Sequence, residues 1–285
     1  MPLKLKYGTI TWETPNCDVL QKNGWLCFDL HTHTNYSDGS ATVNDVVKRA
    51  RNGGFGVAIT DHNEFRGSKE ASLNKDVVII PGMEFNSFEG PDMLFYFFKQ
   101  QDLESFWSRV VNGNLRSDPH GRTNIHLRQM CELSRSFRCV VAVPHPFCVA
   151  WKNLPSFLER QKAMRLLEDI DAIEVLNAQQ SRNANVAAIE WNKMLGKAIV
   201  GGSDSHTARE LGSVVTCAKA DSITSFLHAV QKKRTAVVGN PKWLNVMLGR
   251  LACLYNHRTH ASVESLDLLI KHARHRLLGE SLGKF

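Results

Sequence analysis

The chain has 285 residues, of which 43% are hydrophobic and 22% are charged, and its net charge is +7. No apolar run approaches the roughly 20 residues needed to span a bilayer, which excludes a transmembrane helix. The seven cysteines include no Cys-x-x-Cys pair, which argues against a disulfide framework and a thiolate zinc site. Because the N-terminus lacks the apolar core of a signal peptide, we expect a cytoplasmic protein with no membrane partner.

From residue 25 onward, short apolar runs alternate with helical patterns. The runs predict nine strands, at residues 27–30, 55–60, 77–80, 93–98, 139–143, 172–176, 198–201, 214–217 and 235–238. Helices are predicted after Thr42, which is a suitable N-cap, and near residues 155–168, 181–195 and 222–233. This alternation favours a mainly parallel sheet covered by helices, and seven or more such strands fit a closed barrel better than a small open sheet.

Two segments depart from the alternation. Residues 101–135 are mostly helical in pattern and are interrupted near Gly113 to Gly121, which predicts an insertion. Residues 244–285 are also helical in pattern and rich in basic residues and histidines. We therefore divide the chain into a domain of residues 1–243 and a C-terminal helical extension of residues 244–285.

Histidine and acidic residues follow five of the predicted strands. They are His31 and His33 with Asp38 shortly after, then Asp61 and His62, Glu84, His145, and Asp204 with His206. In a parallel α/β barrel the carboxyl ends of the strands meet on one face, and that face carries the active site. We therefore expect these side chains to converge. Nitrogen and carboxylate donors suit zinc, manganese and ferrous iron.

Each motif alone has an ordinary structural explanation. Most isolated His-x-His pairs bind nothing, and a buried histidine such as His145 is more often a hydrogen-bonded core residue. Asp38 fits a turn and Asp204 fits a helix cap. The repetition at five strand ends favours a metal site, because burying so many unpaired charges without metal would be costly.

These motifs, in this order, resemble the PHP family, the polymerase and histidinol phosphatase superfamily of metal-dependent phosphoesterases. The resemblance covers about residues 26–239. It rests on His31-Thr32-His33 with Ser37-Asp38-Gly39, Ile59-Thr60-Asp61-His62, Pro81-Gly82-Met83-Glu84, Pro144-His145-Pro146 and Gly202-Ser203-Asp204-Ser205-His206. It implies an α/β fold, a distorted (β/α)7 TIM-like barrel with a trinuclear metal centre, to which this chain adds the helical insertion and the C-terminal helical tail.

The resemblance also implies a distribution of ligands. By position, His31, His33, Glu84 and Asp204 would hold one ion, Glu84 and His145 a second, and Asp38, His62 and His206 a third. Many members have a further histidine after the glutamate, and the apparent equivalent here is Asp92. We therefore expect two or three divalent ions (Mn, Zn or Fe), with Asp92 as a candidate ligand.

Other residues are candidates for catalysis and for substrate binding. Asp204 and His206 are predicted to act in catalysis, and Asp61 is predicted either to orient the neighbouring His62 or to form only a strand-end hydrogen bond. Candidates to bind the substrate phosphate are Arg66, Lys152, Arg182 and Arg209, with Asn177, which ends a strand.

Three functions compete. The leading hypothesis is a phosphatase acting on a phosphorylated small metabolite or nucleotide, with histidinol phosphate as one example. The second is a phosphodiesterase or nuclease, which the basic net charge would help but which lacks an aromatic base-stacking stripe. The third is a non-catalytic metal-binding scaffold. The sequence does not indicate the substrate, the metal or the oligomeric state.

Overall fold

The computed structural model describes residues 5–148 and 152–241, which form ten strands and eight α-helices. The strands are β1 (Ile10–Thr11), β2 (Leu26–Thr32), β3 (Gly56–Ile59), β4 (Ile79–Asn86), β5 (Asp92–Phe97), β6 (Cys139–Val143), β7 (Ala172–Asn177), β8 (Ala198–Gly202), β9 (Val214–Ala218) and β10 (Ala236–Gly239). The helices are α1 (Cys17–Lys22), α2 (Val43–Gly53), α3 (Arg66–Ser72), α4 (Gln100–Phe106), α5 (Leu127–Ser136), α6 (Leu154–Gln161), α7 (Arg182–Leu195) and α8 (Ile223–Gln231).

All nine predicted strands are present, and the additional strand is the two-residue β1. The predicted start of α2 is confirmed, because the Thr42 hydroxyl accepts a hydrogen bond from the Asp45 amide and the Asp45 carboxylate accepts one from the Thr42 amide. The predicted domain limit at residue 243 and the helical extension of residues 244–285 lie outside the described residues. Within the part of the chain that the structure describes, no helix has both the length and the apolar character to cross a membrane.

One sheet contains all ten strands, in the order β1-β10-β9-β2-β3-β4-β5-β6-β7-β8. Five of the nine strand pairings are parallel, as a mainly parallel sheet requires, and β5 and β9 are the exceptions. Strand β5 runs antiparallel to β4 and β6, and β9 runs antiparallel to β2 and β10. Residues 87–91, which join β4 to β5, are too few for a crossover, so the chain turns directly back. The first residue of β5, Asp92, therefore lies beside the last residue of β4.

The sheet curls until the end of β8 approaches β2 and β9. The amide of His33 donates to the carbonyl of Ser205 at 2.9 Å, and the Thr216 hydroxyl donates to the carbonyl of Gly201 at 2.9 Å. Gly202 allows this approach, since a Cβ there would lie 2.5 Å from Cβ of His31. The result is the distorted TIM-like barrel that the sequence predicts.

Hydrophobic clusters fix the curled sheet. In one cluster, alternate residues of strands β2 through β9 pack against helix α8. Within it, the ring centres of Phe28 and Phe226, which lies on α8, are 4.5 Å apart. The predicted insertion contributes to another through α4, a π-helical turn (Trp107–Val111) and α5, which pack against β4, β5 and β6. Between these helices the chain passes close to the end of β3, where Asn63 Nδ2 donates to the carbonyls of Pro119 and Gly121.

Asp29 of β2 connects the two ends of the curled sheet. Its Oδ1 accepts a hydrogen bond from the Ser203 amide and its Oδ2 accepts one from the Gly212 amide, both at 2.8 Å. The carboxyl is fully buried, and this burial raises its pKa to about 6 in spite of the hydrogen bonds. Asp29 therefore holds the segment after β8 against β2.

We expect Asp29→Asn to lower the free energy of unfolding by about 2–4 kcal/mol, because an amide offers one acceptor and turns an NH2 donor toward a backbone N–H. Urea denaturation of the metal-free protein measures this loss. Asp76→Asn is the matched control, since Asp76 forms an exposed ion pair with Arg51, and it should change the value by less than about 1 kcal/mol. Equal losses in the two variants would contradict the role of Asp29.

Candidate metal centre

The curled sheet brings the strand-end donors together at one face. Four overlapping groups of side chains have ligand atoms within 4.8 Å of one another. The groups are His31, His33 and Asp204; His31, Glu84 and His145; His33, His62 and Glu84; and His33, Asp38 and His206. All eight of these residues were predicted as metal ligands, and their convergence follows from the positions of β2, β3, β4, β6 and β8 around the barrel.

Glu84 stands at the middle of the cluster. Its Oε2 lies 3.2 Å from His31 Nε2, 3.3 Å from His33 Nε2 and 3.3 Å from His62 Nδ1. Its Oε1 lies 3.2 Å from His145 Nε2. One carboxylate thus faces four imidazoles that come from the ends of three strands, β2, β3 and β6, as a bridging ligand would.

Two further carboxylates face the histidines. Asp204 Oδ1 lies 3.3 Å from His33 Nε2 and 3.6 Å from His31 Nε2. Asp38 Oδ2 lies 3.1 Å from His206 Nε2 and 3.6 Å from Nε2 of His62. Each carboxylate is therefore placed between two rings, which is an arrangement that a divalent ion between them would stabilise.

The hydrogen bonding of these groups fits bound metal. Both ring nitrogens of His33, Nδ1 of His62, Nδ1 of His145 and Oε1 of Glu84 are buried, and none has a hydrogen-bond partner among residues 5–148 and 152–241. Buried polar atoms are nearly always paired, so this arrangement fits atoms that serve as ligands of a bound ion. Imidazole and carboxylate donors without thiolate suit manganese, zinc or iron.

The charges of the cluster are strongly coupled. Burial opposes the charge on His33, but the carboxylates of Asp204 and Asp38 outweigh it and raise its pKa to about 10. Burial likewise opposes the charge on Glu84, yet His62 and His31 hold its pKa well below the usual range. In the absence of metal His33 therefore retains a proton at neutral pH, and a metal ion bound there has to displace it.

Glu174 of β7 is a functional residue that sequence reasoning missed. Its Oε1 lies 3.0 Å from His31 Nδ1, and its Oε2 accepts hydrogen bonds from the His145 amide at 2.8 Å and from Asn177 Nδ2 at 2.9 Å. A carboxylate on the outer nitrogen of a histidine fixes the orientation of the ring and its tautomer. The sequence feature that could have identified Glu174 is its charge within the otherwise apolar run of β7, because a buried charge is rare unless it is paired.

Asp61 and Asn177 also lie beside the cluster. Asp61 accepts hydrogen bonds from the amide and hydroxyl of Thr34 and from the hydroxyl of Ser37, each at 2.7 Å. Through these hydrogen bonds it holds the segment between His33 and Asp38. Asn177 Nδ2 donates to Asp204 Oδ2 at 3.3 Å, so it positions a carboxylate of the cluster.

Asp92 is not brought into any of the four donor groups of the described residues. Its Oδ2 lies 2.6 Å from Lys152 Nζ, and its Oδ1 accepts a hydrogen bond from Asn86 Nδ2 at 2.8 Å. Asp92 pairs with Asn86, two residues beyond Glu84 on β4, and its two carboxylate oxygens are engaged by Lys152 and Asn86.

The three arginines predicted to bind phosphate have other surroundings. Arg66 forms hydrogen bonds with Glu64 and lies over the ring of Tyr36. The guanidinium of Arg182 lies 4.8 Å from the centre of the Trp12 ring. Arg209 is exposed. None of these described contacts places a guanidinium against the donor cluster.

Three residues at the centre have left-handed backbone conformations that are unusual outside glycine. They are Asn63 (φ 52°), His145 (φ 26°) and Asp204 (φ 51°). Such conformations cost about 1–3 kcal/mol each and persist where the surrounding structure requires them, which is frequent at functional sites. At His145 and Asp204 the backbone turns immediately after a strand, so that the side chain points back into the cluster.

Comparison with known proteins agrees with this geometry. The profile of the PHP domain matches residues 29–192, and a profile described as PHP-associated matches residues 182–235. No curated protein sequence matches the chain.

Solved structures share the fold at low sequence identity. PsfC from Pseudomonas syringae is 15% identical with a TM-score of 0.62, over 83% of this chain and 99% of that one. The lesion-specific endonuclease PfuEndoQ from Pyrococcus furiosus is 19% identical with a TM-score of 0.59, over 73% of this chain and 56% of that one. An endonuclease Q in complex with a 27-mer duplex that has an abasic lesion at the active site is 18% identical, with a TM-score of 0.59 over 73% and 57%.

These structures support the fold. The PHP domain profile covers more than half of the chain and includes six of the eight clustered residues, and the other two, Asp204 and His206, lie within the PHP-associated profile. The chain therefore belongs to the PHP domain family of metal-dependent phosphoesterases.

Proposed function

We propose that this protein is a phosphatase that hydrolyses a phosphomonoester of a small metabolite or nucleotide at the donor cluster. The family acts on phosphate esters, which sets the reaction class. The observation that carries the choice of a monoester is that the cluster is recessed below the surface and opens on one side.

The side chains of the cluster differ in exposure. Those of His31 and His33 are fully buried, and that of Glu84 is 1% exposed. On the other side, Asp38 is 47% exposed and His206 is 12% exposed. Substrate therefore reaches the cluster from the side of Asp38. A terminal phosphate protrudes from its molecule and enters such a recess more easily than a phosphate within a polymer backbone.

We assign the eight clustered residues as the metal ligands of this reaction. The ligands would be His31, His33, Asp38, His62, Glu84, His145, Asp204 and His206. When bound, two or three divalent ions (Mn, Zn or Fe) would polarise the phosphoryl oxygens and lower the pKa of an attacking water. Asp92 is left out of this assignment because Lys152 and Asn86 hold its carboxylate.

Residues outside the ligand set orient the rings. Glu174 engages Nδ1 of His31, so that Nε2 of His31 faces Glu84. The Asp204 carbonyl lies 2.9 Å from Nδ1 of His206, so a proton on Nδ1 leaves Nε2 of His206 to face Asp38. We propose that Asp204 and His206 act in catalysis as ligands, which would fix the metal ions that contact the reacting phosphate. Asp61 would act indirectly, through the segment that carries Asp38.

The second candidate function is a nuclease. One structural neighbour is an endonuclease Q bound to duplex DNA, and it shares the fold over 73% of this chain. The net charge of +7 would favour association with a polyanion. The recessed centre favours the monoester instead, because a duplex reaches such a site only if its reacting nucleotide leaves the helix.

To test the function, we would incubate the manganese-loaded protein with phosphomonoesters, phosphodiesters, short oligonucleotides and a duplex containing an abasic site. We expect release of inorganic phosphate from monoesters. Asp204→Asn should reduce this rate by about 100-fold or more, because it removes the negative charge of a proposed metal ligand that lies beside His31 and His33. Metal-free protein is the negative control, and Asp76→Asn is the matched variant that should retain full activity.

The products separate the hypotheses. Cleavage of the duplex or stepwise shortening of oligonucleotides would favour the nuclease. If neither monoesters nor diesters react with manganese, zinc or iron, the enzyme assignment is wrong and the metal-binding scaffold takes its place.

A second prediction concerns protons. Since the carboxylates around His33 raise its pKa to about 10, the metal-free protein carries a proton on this ring at pH 7.5, and the metal must displace it. We expect manganese binding to release protons and to strengthen as the pH rises from 6.5 to 8.5. Calorimetry in buffers with different ionisation enthalpies measures the number released. A heat that does not depend on the buffer would contradict this expectation.

A third prediction concerns Glu174. We expect Glu174→Gln to weaken manganese binding by about 10- to 100-fold, because the neutral amide holds His31 and its tautomer less strongly. Competition with a chelator measures the affinity. Glu190→Gln is the matched control, because Glu190 is exposed and pairs with Lys193 on the same helix. If both variants bind manganese like the wild-type protein, Glu174 does not support the site.

A further inference from the structure

A lysine and an aspartate form a pair at the edge of the metal centre. Lys152 Nζ lies 2.6 Å from Asp92 Oδ2, and Asn86 Nδ2 donates to the other carboxylate oxygen at 2.8 Å. The Asp92 side chain is fully buried, whereas that of Lys152 is 21% exposed. A buried and anchored carboxylate therefore fixes an ammonium group that solvent can still reach.

The register of β4 and β5 places this pair on the side of the sheet that carries Glu84. Glu84 and Asn86 are two residues apart on β4, so their side chains point to the same face. Asn86 is the partner of Asp92 across the antiparallel ladder, and directly opposed residues share a face as well. The Asp92 carboxylate therefore lies on the face of Glu84, about 7 Å farther toward the end of β4.

The connection from β6 to α6 brings Lys152 to the same region. It also carries His145, whose Nε2 lies 3.2 Å from Glu84 Oε1. Burial opposes the charge of Lys152, but Asp92 and then Glu84 outweigh it and raise the pKa of the lysine. The ammonium is therefore charged at neutral pH and lies within electrostatic range of the central carboxylate.

We propose that Lys152 binds the phosphate group of the substrate, and that Asp92 and Asn86 are positioning residues for this lysine and not metal ligands. This inference rests on the proposed phosphatase function. An ammonium group beside a metal cluster attracts a phosphoryl oxygen as a point charge. Lys152 suits this role better than Arg66 or Arg182 because of its position: it interacts electrostatically with Glu84, whereas the described contacts of the two arginines are with Glu64 and Trp12.

The test measures binding of inorganic phosphate to the manganese-loaded protein by calorimetry, with the manganese content of each variant determined by mass spectrometry. We expect Lys152→Met to weaken phosphate binding by about 10- to 100-fold, since a charged hydrogen bond is lost. Its manganese content should equal that of the wild-type protein. Lys152→Arg should recover most of the affinity, because it restores the charge.

Two further variants complete the design. Asp92→Asn should weaken phosphate binding and leave the manganese content unchanged, whereas a metal ligand would lose manganese. Lys193→Met is the matched control, because Lys193 also pairs with a carboxylate, that of Glu190, but on an exposed helix face. It should bind phosphate like the wild-type protein.

The inference is overturned if Lys152→Met binds phosphate as tightly as the wild-type protein, if Asp92→Asn loses manganese, or if the wild-type protein binds no phosphate. None of these readouts depends on turnover. If one of these results is obtained but the wild-type protein still hydrolyses phosphomonoesters of the substrate panel, the phosphatase function stands and only the role of Lys152 is rejected.

Discussion

The position of the Glu84 carboxylate among four histidine rings is the interaction on which the site depends. The Glu84 carboxylate, with those of Asp204 and Asp38 beside the same group of rings, makes a concentration of ionisable groups that a protein interior does not stabilise by itself. Either protons or divalent ions have to neutralise it. Two observations reflect this requirement: the raised pKa of His33, and the ring nitrogens that have no hydrogen-bond partner within the described part of the chain.

Hydrogen bonds elsewhere in the barrel keep these charged groups in position. Three other carboxylates serve as acceptors and hold the segments that carry the donors. Asp29 ties the segment after β8 to β2, Asp61 holds the segment between His33 and Asp38, and Glu174 engages His31 while it accepts the amide of His145. Each is a buried acidic residue with its oxygens engaged, which is the condition under which such residues are tolerated.

The edge of the site is built from the parts of the chain that depart from a regular barrel. The reversal of β5 brings Asp92 beside Asn86, and the connection after β6 supplies Lys152 to meet it. The insertion between β5 and β6 covers the end of β3 through the carbonyls that accept from Asn63. The regular part of the barrel thus carries the metal donors, and the irregular part shapes what can approach them.

The sequence predicted nine of the ten strands, because each of them is a short apolar run, and it predicted that the eight residues after five of these runs would converge. It did not reveal the direction of β5, which depends on a five-residue link and on the neighbour that β5 finds in the sheet. For the same reason the partner of Asp92 was decided only by the tertiary structure. Glu174 lies 143 residues from His31, and no local pattern records a contact between residues so far apart in the chain.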